Sequence, residues 1–123
     1  SACLVGSEMC IRDRVRSTAG SLFHVPVARD RDIRRVLGQL RASGLSTLAT
    51  TPNGALNLAE PGEALNTPTA WLFGNEAHGL PEDVLAAADD TVSIPISGSA
   101  ESLNLSTAAS ICLWESAKAL RET

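Results

Sequence analysis

Residues 70–74 read AWLFG and run directly into NEAHGLPEDV, residues 75–84. A continuous apolar run of this length, with no polar alternation, is the pattern of a strand buried on both faces, and such strands belong to parallel sheets. Gly74 closes the strand and Gly79 marks a turn. Pro81 is placed for the first turn of a helix that would run through Glu82, Val84 and Leu85 to about Ala88.

Towards the C-terminus, TVSIPI (residues 91–96) is a second strand, halted by Pro95. Beyond the polar loop SGSAES a long helix is expected from about Asn104 to Leu120, with Leu105, Ala108, Ala109, Cys112, Leu113, Ala117 and Leu120 as its apolar positions. On the other side, LSTLAT (residues 45–50) reads as a strand ending at the turn Thr51-Pro52-Asn53-Gly54, and residues 55–68 read as irregular. Ile33, Val36, Leu37 and Leu40 recur at helical spacing, with Asp30 or Asp32 to cap the start and Gly44 as a C′ residue. Residues 21–27, SLFHVPV, form a β-prone run that Pro26 places near a strand end or an edge. The order strand, helix, strand, strand, helix, strand, helix gives an α/β fold with a mostly parallel sheet and flanking helices.

A chain of 123 residues with 44% hydrophobic content supports one domain and one core. The first fourteen residues, SACLVGSEMCIRDR, show neither strand alternation nor a helical stripe. They are read as a non-native or unstructured leader, with the domain proper at residues 15–123. No apolar run approaches the ~20 residues that cross a bilayer, and no secretory leader is recognisable, so a cytoplasmic protein is expected. Cys3, Cys10 and Cys112 have neither disulfide-framework nor zinc-ligand spacing, and no metal is expected. Cys112, in an apolar helical stretch, reads as an inert buried thiol.

The net charge of -4 is unevenly spread. Eight Arg and four acids fall in residues 1–41, whereas residues 42–123 hold ten acids against Lys118 and Arg121. A polyanion would therefore be met by Arg16, Arg29, Arg31, Arg34, Arg35 and Arg41, although a solvated helix face with Asp30 and Asp32 as partners explains any single Arg equally well.

Two segments place small and polar residues where packing alone does not require them. Residues 71–84 carry Gly74-Asn75-Glu76 and Gly79-Leu80 just beyond a strand, where α/β proteins bind ligands and where Gly74 would admit one close to the backbone. Residues 94–115 carry Ile94-Pro95, Gly98 and Ser102-Leu103-Asn104 ahead of the last helix, so Ser102 or Asn104 is also a natural N-cap. Neither a GxGxxG after a strand nor a GxxxxGK[ST] occurs, which argues against dinucleotide-binding and P-loop domains. Trp71 and Trp114 read as core or interface residues, and His78 as an exposed turn residue.

Together the two segments resemble the second and third motifs of the SpoU (TrmH) family of RNA 2′-O-ribose methyltransferases, within the α/β-knot (SPOUT) superfamily. Upstream, residues 16–27 (RSTAGSLFHVPV) resemble the stretch before the family's central helix. The resemblance implies transfer of a methyl group from S-adenosylmethionine to a ribose 2′-hydroxyl of ribosomal or transfer RNA, a C-terminal trefoil knot around the cofactor, and a homodimer. It implies site roles for Glu76, Ser102 and Asn104, which would orient the catalytic Arg and the cofactor. An apolar slot for adenine would come from Ile94, Ile96, Leu103 and Leu105, with Gly74, Ala49 and Thr50 along the other wall. Arg16 matches a basic position of the family near RNA, and His24, which follows Phe23 in the β-prone run, reads either as an RNA contact or as a satisfied half-buried imidazole. The family's first motif, with its Asn and Arg, is not reproduced in residues 1–14, so weak or absent transfer by this chain alone is expected. The alternative is a non-catalytic RNA-binding or dimerisation module that keeps the cofactor pocket.

Overall fold

The structure, a computed structural model, describes residues 26–75, 78–96 and 104–122. The expected leader (residues 1–14) and most of the β-prone run at residues 21–27 lie outside the described residues. The chain divides into two compact units, Ser1–Val36 and Leu37–Thr123.

The first helix, α1 (Ile33–Ala42), shows both terminal signals read from the sequence. Asp32 Oδ1 accepts the Arg35 amide at 3.2 Å, the N-cap bond, while Asp30 accepts the Asp32 amide at 2.8 Å and pairs with the Arg35 guanidinium. At the other end Gly44 takes φ 84, a conformation that only glycine adopts without strain. The Gly44 amide donates to Arg41 O at 2.9 Å and the Leu45 amide to Leu40 O at 3.1 Å. This is a Schellman closure, and it turns the chain into the sheet.

The sheet contains β1 (Ser46–Thr50), β2 (Leu56–Asn57), β3 (Thr69–Leu72) and β4 (Asp90–Ser93). Its order is β2-β4-β1-β3, and every pairing is parallel. β1 is bonded on both sides, and Thr47, Leu48 and Ala49 are fully buried. β3, expected to be buried on both faces, is half-buried throughout, because among the described strands it lies at the edge. It also starts and stops earlier than its apolar run, at Leu72 and not Gly74. The strand expected at residues 91–96 likewise ends at Ser93.

β2 falls in the stretch expected to be irregular. Parallel strands usually need a crossover of a dozen residues or more. Here residues 51–55 suffice, because β2 pairs only with the last two rungs of β4, Leu56↔Val92 and Asn57↔Ser93. The expected turn is present, with the Gly54 amide bonded to Thr51 O at 3.1 Å.

α2 (Glu82–Ala87) follows Pro81, which stands just before the helix and not inside its first turn. Glu82 and Asp83 in that turn complement the helix dipole. α3 (Leu105–Glu122) packs on β3, where Trp71 Nε1 donates to the buried Ser116 Oγ at 2.8 Å. Leu48, Leu58, Leu65, Val92 and Cys112 form the core, with Trp71, Phe73, Ile94 and Ile111 packed against it. Each fully buried Leu or Val contributes about 1.5–3 kcal/mol.

Candidate functional site

Parallel strands deliver all their carboxyl ends to one edge of a sheet, and in this fold class ligands bind in the crevice beyond that edge. The register Ala49↔Leu72 sets Thr50 beside Phe73, and Thr50↔Val92 places Ile94 two residues beyond the same level. Thr50, Gly74 and Ile94 therefore gather at this edge. Thr50 Oγ1 is committed to Leu72 O at 3.2 Å, tying β1 to β3 where both end. Ala49 has no exposed surface and contributes packing there.

The turn after β3 is built from its own backbone. A Cβ on Gly74 would stand 2.1 Å from the Gly79 carbonyl carbon and 2.3 Å from the Leu80 nitrogen. Glycine is thus required at residue 74 by the returning chain itself. Asn75, to which the sequence assigned no site role, pins the turn: its Oδ1 accepts the His78 amide at 2.6 Å and its carbonyl the Gly79 amide at 2.9 Å. Gly79 closes the turn at φ 66. The signal for Asn75 was the Asn-to-Gly spacing, which is that of a side-chain-closed turn. His78 is exposed, as expected.

Beyond β4, Ile94 is half-buried against the core and Ile96 is 37% exposed. Large exposed apolar residues are few among the described residues, and Ile96 is the one that does not lie on α3. Asn104 stands immediately before α3 and caps it, its Oδ1 accepting the Ser106 amide at 2.8 Å. Leu105 is half-buried at the first position of the helix. Glu76, Ser102, Leu103, Arg16 and His24 lie outside the described residues.

Cys112 is fully buried, and desolvation pushes its thiol up to about 12, which leaves it protonated and inert. At the opposite end of the sheet, Asp89 Oδ2 accepts the Thr47 amide at 2.8 Å and the Thr47 hydroxyl at 3.1 Å. These bonds, with Arg41 3.7 Å away, hold its carboxyl below the usual range. That cluster joins β1 to β4 far from the carboxyl edge. No group of His, Cys, Asp or Glu among the described residues has a metal-binding arrangement.

Comparison with known proteins gives this edge its context. The SpoU rRNA Methylase family model matches residues 3–114. A protein of Archaeoglobus fulgidus named as an uncharacterized tRNA/rRNA methyltransferase is 36% identical over 102 residues, covering 81% of this chain and 43% of that protein. The 23S rRNA (guanosine-2′-O-)-methyltransferase of Nitrosomonas europaea is 37% identical over 97 residues, covering 79% of this chain and 36% of the enzyme. The AdoMet-bound rRNA methyltransferase of Sinorhizobium meliloti superposes with a TM-score of 0.78 at 34% identity, over 96% of this chain and 45% of the enzyme. The chain thus spans less than half the length of these relatives. With a matched span from residue 3 to residue 114 and a parallel sheet that superposes on these enzymes, the chain belongs to the SpoU rRNA methylase family.

Proposed function

We propose that the chain supplies the cofactor-binding part of an enzyme that methylates a ribose 2′-hydroxyl of ribosomal or transfer RNA, with S-adenosylmethionine as methyl donor. The observation that carries this reading is the carboxyl edge of the sheet, where Thr50, the Gly74 turn and Ile94 converge beside an uncovered Ile96. The residues fit the group: an adenine ring needs an apolar wall, and Ile94 and Ile96 leave apolar surface at the strand ends. Ile94, Ile96, Leu103 and Leu105 would hold one side of the cofactor, with Gly74 and Thr50 along the other and the fully buried Ala49 packed behind them. When bound, the sulfonium supplies a methyl group already activated for displacement, without a metal.

The protein's own task is alignment and handling of the hydroxyl proton. Glu76, Ser102 and Asn104 are assigned to orienting the arginine of the first motif and the cofactor, and Arg16 and His24 to RNA. The C-terminal trefoil knot, the homodimer and a cytoplasmic location belong to the same reading. The dimer is supported by the apolar face that α3 leaves uncovered, and the location accords with the absence, among the described residues, of a helix able to cross a membrane.

The test is transfer of labelled methyl from S-adenosylmethionine to undermodified ribosomal and transfer RNA. It compares this chain with a version preceded by an upstream segment bearing the first-motif arginine. Positioned acid–base help is worth about 10²–10⁴-fold, so the extended version is expected to exceed this chain by that order. Cofactor binding with no transfer by either version would favour a non-catalytic module.

A further inference from the structure

The segment joining β1 to β2 is a strap across the end of β4. The Thr51 amide donates to Val92 O at 3.0 Å and the Leu58 amide to Ser93 O at 2.9 Å, while Ser93 Oγ donates to Leu56 O at 3.2 Å. Between these bonds the Ala55 amide donates to the side chain of Thr91, at 2.9 Å from Oγ1. At Gly54 the strap lies flat on β4. A Cβ there would stand 2.3 Å from the Val92 carbonyl carbon and 2.5 Å from the Ser93 nitrogen. These contacts fall on the last residues of β4, immediately before Ile94 and Ile96.

We propose that Thr91 and Gly54 are positioning residues for the cofactor: by holding the strap down on the end of β4, they fix the path along which Ile94 and Ile96 leave the sheet and form the adenine wall. This rests on the methyltransferase reading of the same edge. Neither residue need touch the ligand. Gly54 permits the contact by lacking a side chain, and the Thr91 hydroxyl fastens it.

The two roles of the strap, structural and positional, separate experimentally. Ala55 is exposed, so its amide turns to water when Thr91 no longer accepts from it, at little cost to folding. Thr91→Val keeps the branched shape and removes the acceptor, whereas Thr91→Ser keeps the acceptor. Gly54→Ala is the harsher change, since backbone atoms must move, and it can unfold the chain outright.

The experiment is calorimetric titration of the unaltered chain, Thr91→Val and Thr91→Ser with S-adenosylmethionine, after folding is verified by circular dichroism. Thr91→Val is expected to raise Kd about two- to tenfold, the span of one hydrogen bond, at unchanged stoichiometry. Thr91→Ser is expected to restore the original value. A merely structural role would lower the fraction of competent sites and leave Kd alone. Unchanged Kd in Thr91→Val, with or without a loss of stoichiometry, overturns the positioning role and leaves the methyltransferase reading intact. No binding by the folded, unaltered chain overturns both.

Discussion

At the scale of single residues, Asn104 caps α3 and is also the side chain proposed to help orient the first-motif arginine and the cofactor. Its Oδ1 takes the Ser106 amide, satisfying one of the four amides that the first turn of α3 leaves open. Asn104→Ala is expected to cost about 1 kcal/mol, and to lower Tm by roughly 4–8 °C on the scale of small domains. Asn104→Ser keeps the cap, so a fall in cofactor affinity in that variant at unchanged Tm would isolate the site role. An unaltered melting curve for Asn104→Ala would contradict the capping geometry. Gly74 and Gly54 carry a related lesson. Both were legible as special positions, but the reason for each is the protein's own backbone passing within 2.5 Å of where a Cβ would stand, which no local pattern encodes.

At the scale of elements, most of the sheet was readable because the signals were local. Asp30, Asp32 and Gly44 bracket α1, and the run Leu45 to Thr50 before Thr51-Pro52-Asn53-Gly54 marks β1. β2 was not legible: two residues cannot show a period, and Leu56 and Asn57 are a strand only because β4 lies beside them. Nor was the edge position of β3, since AWLF reads as a covered strand and exposure depends on neighbours. The amino ends of β1 and β4 are joined by Asp89, whose carboxyl is held below its usual range chiefly by the Thr47 amide, and also by the Thr47 hydroxyl and Arg41. A carboxyl with a lowered folded pKa adds stability above its unfolded value near 3.8, and that stability is lost as pH falls through the folded pKa. Thermal melts of Asp89→Asn are therefore expected to fall below those of the unaltered chain above pH 4 and to converge with them toward pH 2. Parallel curves across that range would show that the carboxylate contributes nothing to the junction.

At the scale of the whole molecule, the two sides of α3 carry different chemistry. One side is anchored by Cys112 and the Ser116–Trp71 bond, while Leu113, Trp114 and Leu120 remain 50%, 61% and 41% exposed. Apolar residues of this size, with Ala117 between them, fit the centre of an interface with a second copy, where aromatic anchors carry most of the affinity. Sedimentation at concentrations on the order of 10 μM is expected to give a dimer for the unaltered chain and a monomer for Trp114→Lys. A monomer in both would remove the homodimer from the account. Whether the carboxyl edge of the sheet holds S-adenosylmethionine is read most directly by calorimetric titration of the folded chain with that ligand. One saturable site per subunit is expected, weakened when Ile96 is replaced by Asp. A folded chain that gives no binding heat up to millimolar ligand would contradict it.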